Sequence, residues 1–327
     1  MKKLNLKEIN QVPLDVSEYV YESTGKSQIV LHHTAGNSSG VNTINHWNND
    51  KRGRIATCVT ISGKGSSKNT HDGEICQAFS SKYWAYHLGI KPDVFRSRGI
   101  KYQRLDKIAI GIEICNWGYL TLKDGKYYNY VNREVSADQV VVLDEPYKRH
   151  KYYHAYTDAQ IESVRQLLVF WNERYGIPLD YRVDDMWDVS DNALKGVPGI
   201  YTHNSYRADK LDIVPQPKMV EMLKNLKKKV EMAKKKDIKV DASVGENNLH
   251  VNKTDEKVEV NIDTKNIDVD YYKDNERKEF NYDGKKLDVN VKQENGKTEV
   301  EVVASNGILR SIGNFIAKYF FRKWNKK

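Results

Sequence analysis

Two short segments of this 327-residue chain could together build a reactive centre. Val30-Leu31-His32-His33-Thr34-Ala35-Gly36 is an apolar strand ending in two imidazoles. A second stretch, from Thr202 to Asp212, places His203, Lys210 and the carboxylates Asp209 and Asp212 within one loop. Between them they can supply two neutral nitrogens and one oxygen to a divalent metal and leave a position free for water, the ligand set of a hydrolytic zinc site. Successive residues of a regular strand face opposite sides, so His32 and His33 cannot both reach one metal. In the loop, Asp209 is a rival to Asp212.

A carboxylate also stands inside the apolar run Ile110-Gly111-Ile112-Glu113-Ile114. Burying it is costly unless it is paired, hydrogen-bonded or functional, and burial raises a carboxyl pKa towards the range of a general base. Glu113 is therefore the candidate base. The alternative is a structural ion pair with an arginine such as Arg207.

The elements that must position these groups follow from pattern. Residues 27–33 read as a buried strand that the small residues 36–40 turn. Val41, Ile44 and Trp47 recur at helical spacing and predict a helix over 41–49. Residues 54–62 and 73–80 read as strands around a polar 63–72, and 107–117 as a central strand. Residues 122–151, rich in Tyr and Lys, read as an insertion over one edge. Thr157 and Gln160 make a capping-box pattern that opens a helix with Ile161, Val164, Leu168, Trp171 and Tyr175 on one face, ending near Gly176-Ile177-Pro178. The apolar 197–202 brings His203 to a strand end. The expected class is α/β, a mixed central sheet flanked by helices.

Six motifs occur in order: residues 29–36; Asp72-Gly73-Glu74-Ile75; Trp84-Ala85-Tyr86-His87-Leu88-Gly89; residues 110–114; Tyr156-Thr157-Asp158-Ala159-Gln160; and residues 203–212. Through them the chain, over 27–217, resembles the zinc-dependent (type-2) N-acetylmuramoyl-L-alanine amidases, which share a fold with bacteriophage lysozyme-type amidases and peptidoglycan recognition proteins. The resemblance implies Zn2+ held by His32, His203 and Asp212, with His33 turned away. It places the catalytic Glu at Glu113 and a catalytic Lys at Lys210, two residues before the third ligand. His87 matches a family His near the cleft, where substrate contact and structural hydrogen bonding are both open. With Thr57 and Arg207 it is expected among the residues that meet substrate. Many members carry Tyr where this chain has Thr57, which is too short to replace it directly. Oxyanion stabilisation would then fall to Lys210, His87 or the metal.

The implied activity is hydrolysis of the amide between the lactyl group of N-acetylmuramic acid and L-alanine in peptidoglycan, in the manner of a phage or prophage endolysin. The alternatives are a peptidoglycan-binding protein without hydrolysis and a virion- or toxin-associated wall-degrading component.

The chain exceeds the usual size of one domain and changes character after Pro217. Four parts are expected: a catalytic domain over 1–217, a basic helical linker over 218–238, a small β-rich module over 239–304 and a cationic amphipathic helix over 305–327. In the linker Met219, Met222, Leu223, Leu226 and Val230 share one helical face. The module shows period-two segments with turns at Asp283-Gly284 and Asn295-Gly296. In the last segment Ile308, Leu309, Ile312, Phe315, Ile316, Tyr319, Phe320 and Trp324 gather on one side among Arg and Lys, a pattern suited to an anionic membrane surface or to docking on the protein itself.

Net charge is +9, and residues 218–327 hold 25 Lys/Arg against 19 Asp/Glu, so the basic bias belongs mainly to the appendage. Attraction to anionic polymers or headgroups follows more readily than specific nucleic-acid binding, for which no motif is present. Charges begin almost at once after Met1, so no signal peptide is expected; the protein would be made in the cytoplasm and act on the wall after release. Cys58, Cys76 and Cys115, without CxxC spacing and in apolar stretches, read as buried reduced thiols. No run reaches the ~18 apolar residues of a membrane span.

Overall fold

In this computed structural model the described residues are 4–36, 39–65, 71–235, 239–243, 248–253, 258–262, 269–273, 287–294 and 297–304, with side chains as far as Glu231. The proposed amphipathic helix over 305–327 and the two module turns lie outside them. The chain divides into two compact units, one ending at Lys228 and the other beginning at Lys229.

The first unit runs β1 (Asn10–Gln11), β2 (Gln28–His33), α1 (Gly40–Trp47), β3 (Val59–Ile61), β4 (Ile75–Gln77), α2 (Pro92–Arg96) and β5 (Ala109–Ile114). Next come β6 (Tyr119–Lys123), β7 (Lys126–Tyr128), β8 (Glu134–Val135), β9 (Val140–Tyr147) and β10 (His150–His154). It ends with α3 (Asp158–Tyr175), α4 (Val183–Met186), α5 (Asp191–Leu194), β11 (Gly199–Thr202) and the start of α6 (Pro217–Lys235), which runs on past Lys228. The main sheet has the order β1-β4-β3-β5-β2-β11, with only β3 and β4 antiparallel to each other. A mixed sheet with helices is therefore the observed class.

All six residues of β2 are buried, as expected of a parallel strand covered on both faces. Beneath the site Val30 joins Leu88, Phe95, Leu105, Ala109, Tyr201 and Tyr206 in one apolar cluster. Helix α3 opens as its sequence requires: Thr157 and Gln160 form the reciprocal capping box, and Gly176 closes the helix at φ 72°. Ile161, Val164, Leu168 and Trp171 are buried, and Gln160 Nε2 donates to the Cys115 carbonyl at 2.8 Å, tying α3 to the end of β5.

The strands at 54–62 and 73–80 are shorter than their patterns predict. Arg54 turns at φ 55° and Ile55 bridges Tyr86, so Ile55, Ala56 and Thr57 line a cleft rather than extend β3. The insertion is a five-stranded antiparallel sheet of order β8-β7-β6-β10-β9, whose Leu143 and Tyr153 bury Val214. The apolar face of α6 packs on this unit through Met219, Leu223 and Leu226, while Lys218 pairs with Asp158 and Lys227 with Asp180.

In the second unit β12 (Lys239–Ser243), β13 (Asn248–Lys253), β14 (Val258–Ile262), β15 (Val269–Lys273), β16 (Leu287–Glu294) and β17 (Lys297–Ala304) form one sheet. β16 and β17 pair antiparallel from Leu287↔Ala304 to Glu294↔Lys297. Among the described residues no helix is long and apolar enough to cross a membrane.

The three cysteines are buried and free, and burial pushes each thiol up to about 12, so none is a thiolate at neutral pH. Lys26 is a costlier burial. Its ammonium donates to the Lys107 carbonyl at 2.7 Å, and burial pushes its pKa down to about 8. Below that pH both folded and unfolded chains carry the proton, and the folded state bears the full desolvation penalty. Between about 8 and the ordinary 10.5 only the unfolded chain binds it, so stability from this group rises with pH across that window. Lys26→Met is expected to stabilise the protein at neutral pH by roughly 1–3 kcal/mol. Thr24 Oγ1 still donates to the Lys107 carbonyl, so no acceptor is stranded. Urea unfolding at neutral pH and at pH above 10 checks this; an advantage that does not shrink at the higher pH would refute it.

Candidate functional site

Strand register brings the chemistry together. In the parallel β2–β5 pair His32 stands beside Glu113, so both project from one face, while His33 beside Ile114 projects from the other. In the parallel β11–β2 pair Thr202 stands beside Leu31, which delivers His203, the next residue, to the row of His32. The chain then turns in a 3-10 turn, His203–Ser205, where the Ser205 hydroxyl accepts from the Thr202 amide at 3.0 Å. The loop returns Asp212 to the same point. His33 goes to the far side and meets Tyr156 Oη through Nδ1 at 2.8 Å.

Three donor atoms converge. His32 Nδ1 lies 3.1 Å from His203 Nδ1 and 3.3 Å from Asp212 Oδ2, and His203 Nδ1 lies 2.9 Å from that same oxygen. Among the described residues this is the group of His, Cys, Asp or Glu ligand atoms close enough to hold a metal ion. The chemistry of the set fits one. His203 Nε2 sits 2.9 Å from the Leu88 carbonyl, which only accepts, so the neutral ring carries its proton there and points a bare lone pair from Nδ1 at His32 and Asp212. With His32 Nδ1 likewise unprotonated, two lone pairs and a carboxylate oxygen would face one another, an arrangement that a cation among them would satisfy. The spacings also match the edge of about 3.3 Å that a tetrahedron of ligands at zinc distances would have.

Electrostatics prepares the same set. Burial, then the neighbouring His203, pushes His32 down to about 4, so its ring is neutral at pH 7. Burial alone would raise the Asp212 carboxyl, but the contacts with His203 and His32 outweigh it and hold it below the usual carboxylate range. Glu113 moves the other way: burial, reinforced by the negative Asp212, raises it well above 4.5, with Lys210 opposing. Arg207 does not neutralise it, since the guanidinium is taken by Asp209 at 2.6 and 3.0 Å. The same pair engages Asp209 away from the two imidazoles.

These groups border a cleft of about 420 Å3, walled also by Trp47, Arg52, Tyr86 and Thr34. Glu113, Lys210, Arg207, Thr57 and His87 all line it. Two of them are engaged in ways that bear on the expected substrate contacts. The Thr57 hydroxyl donates to the Val59 carbonyl at 2.9 Å, and its methyl lies where a Cβ at Gly111 would fall, 2.6 Å away, so it forms floor rather than a donor. His87 is held through its backbone N–H by Asp106, and its Nδ1 faces His32 Nε2 at 2.9 Å. When His32 Nδ1 is kept as a lone pair for a metal, its Nε2–H has His87 Nδ1 as an acceptor, so His87 is placed to support that tautomer. Its place is behind His32, as support, more than in front of a substrate.

Sequence reasoning missed the Leu88 carbonyl, which its neighbour His87 flags only in hindsight. It also missed Trp47 and Arg52 on the facing wall. The spacing of Trp47 with Val41 and Ile44 marks it as part of the apolar stripe of a helix; that it also faces a cleft carries no local signal. Lys148, far from the motifs in sequence, reaches the 203–212 loop.

Two solved structures are similar to this chain. One is "Structure of PlyL", at 13% identity with a TM-score of 0.35, covering 67% of this chain and 96% of that one. The other is the Drosophila peptidoglycan recognition protein SD, at 13% identity with a TM-score of 0.34, covering 66% and 94%. Comparison with curated proteins gives no match. The family model for N-acetylmuramoyl-L-alanine amidase matches residues 24–217, which takes in β2, β5, β11 and the ligand loop, and the chain belongs to that family.

Proposed function

We propose that this chain is a zinc-dependent hydrolase that cuts the amide between the lactyl group of N-acetylmuramic acid and L-alanine in peptidoglycan. The observation that carries the reading is the convergence of His32 Nδ1, His203 Nδ1 and Asp212 Oδ2 beside a carboxyl, Glu113, whose pKa is raised. His32, His203 and Asp212 would hold the ion. Bound there, zinc supplies Lewis acidity that makes water nucleophilic at neutral pH and polarises a carbonyl. Glu113 takes the proton from the attacking water and passes it to the departing amine of L-alanine as the C–N bond breaks. Lys210, facing the same cleft, stabilises the negative charge that builds on the carbonyl oxygen. His87 keeps His32 in the tautomer that leaves Nδ1 bare. The products are a free stem peptide and a glycan strand with an intact lactyl carboxylate.

A wall-cutting amidase fits host lysis of the endolysin kind, with peptidoglycan as partner and the basic appendage favouring an anionic surface. The test is to incubate the full chain with purified peptidoglycan and measure new amino termini and reducing sugars, with and without chelator. Amino-terminal L-alanine without new reducing ends, lost on chelation, is the expected result. Peptidoglycan that is bound but left uncut would move the protein to the recognition class.

A further inference from the structure

The ligand loop is held by a residue outside every motif. β9 and β10 are joined by a two-residue hairpin turn in which Lys148 and Arg149 have φ of 44° and 73°, the left-handed pair of a type I′ turn. The turn aims Lys148 at the 203–212 loop. Its ammonium donates to Lys210 O at 2.7 Å, Asn204 Oδ1 at 2.9 Å and Ala208 O at 3.2 Å, so all three N–H bonds have an acceptor in that loop. Asn204, next to His203, in turn donates from Nδ2 to the carbonyl of Ile213, next to Asp212, at 2.7 Å. One cation thus links the backbone at Lys210 to a side chain that spans both loop ends.

The turn is itself fixed. Tyr147 Oη donates to Trp187 O at 2.7 Å, Tyr153 Oη donates to Tyr147 O at 2.6 Å, and Leu143 and Tyr153 pack on Val214, two residues past Asp212.

We propose that Lys148 is a positioning residue: from the inserted sheet it holds the 203–212 loop in the one conformation that sets His203, Lys210 and Asp212 around the same point. The insertion is then a working part of the site. Beyond its opening 3-10 turn such a loop has many conformations of similar energy, and a metal-binding geometry needs one of them. Lys148 favours it by giving one ammonium three oxygen acceptors in that loop. Lys148 touches no ligand atom and does not line the cleft. The role rests on the zinc amidase reading for its consequence, though not for its geometry.

The test compares full-length Lys148→Met, Lys148→Arg and, as control in the same turn, the exposed Arg149→Met. Amide hydrogen exchange is measured on metal-free protein, zinc affinity by competition with a chromophoric chelator, and kcat and KM on peptidoglycan. Lys148→Met is expected to speed exchange over residues 204–214 alone, to weaken zinc binding by roughly 10–100-fold and to lower kcat with KM unchanged. Lys148→Arg keeps the charge, but its planar fork suits three convergent acceptors less well, so it falls between Met and wild type. Arg149→Met matches wild type.

Unchanged exchange over 204–214, or protection lost equally across the whole unit, would overturn the proposal. If Lys148→Met does not fold, the decision passes to Lys148→Arg, where exchange and zinc affinity equal to wild type would overturn it. A wild-type protein that binds no zinc would defeat the proposed function instead, and the metal-free exchange would still decide the role of Lys148.

Discussion

Glu113→Gln is expected to lower kcat by roughly 10²–10⁴-fold while zinc affinity and KM stay as in wild type. The substitution keeps the volume and removes the carboxyl proposed to take a proton from water and return it to the amine. Its donor set is untouched, since Glu113 is not among the three converging ligand atoms. The pH profile carries a second signature. Burial first, and the Asp212 charge second, raise the Glu113 carboxyl well above 4.5, so the base form fills only at higher pH than an ordinary glutamate would need.

Activity should therefore fall on acidification through a pKa above the usual carboxylate range, and this limb should vanish in the residual rate of the variant. The stability sign is opposite to that of a salt-bridged acid. Because the folded pKa is raised, the folded state binds more protons than the unfolded chain above about pH 4.5, and burying this carboxyl costs stability as pH rises from there through the folded pKa. Metal-free Glu113→Gln should then unfold at the same or a higher temperature than wild type. Single-turnover rates across pH, with scanning calorimetry beside them, decide the matter. A variant that melts earlier and loses zinc together with activity would make Glu113 a structural residue.

The parts of this site that could be read in the sequence are those a local rule governs. Strand alternation says that His32 and His33 part company, and register puts one beside Glu113 and sends the other to Tyr156. A capping box and a C-terminal glycine bound α3 because helix ends are a local matter. What could not be read depends on distant contacts. Residues 54–58 have the composition of a strand, yet the chain turns at Arg54 and bridges Tyr86 at Ile55, and Ile55, Ala56 and Thr57 make a cleft wall instead. The insertion read as Tyr- and Lys-rich surface because nothing in its own pattern states that Leu143 and Tyr153 will cover Val214, or that Lys148 will meet Lys210 O. His87 was open between two roles for the same reason: its spacing in the motif says that it lies near the cleft, and only the 2.9 Å approach to His32 Nε2 shows which way it faces.

Asp212→Asn should abolish the stabilisation that zinc confers, and Asp209→Asn should leave it intact. Zinc binding to the folded state alone raises the unfolding free energy by about 2.7 kcal/mol at a free concentration 100 times Kd, so calorimetry with and without chelator reads site occupancy without any turnover. Asp212 is the only anion among the three ligand atoms, and its contacts with His203 and His32 keep it ionised despite burial. An amide oxygen carries no charge to offset the desolvation of a divalent ion, and the amide can turn its NH2 towards the two imidazole lone pairs instead. Asp209 is the discriminating control because it lies in the same loop, only three residues away, yet its carboxylate is bound by both ends of the Arg207 fork. Asp212→Cys sharpens the experiment, since a thiolate is as good a zinc ligand as a carboxylate and should restore the zinc-dependent shift in part. Retention of the full shift by Asp212→Asn with its loss in Asp209→Asn would mean that the loop closes on the metal by a different residue from the one that stands there.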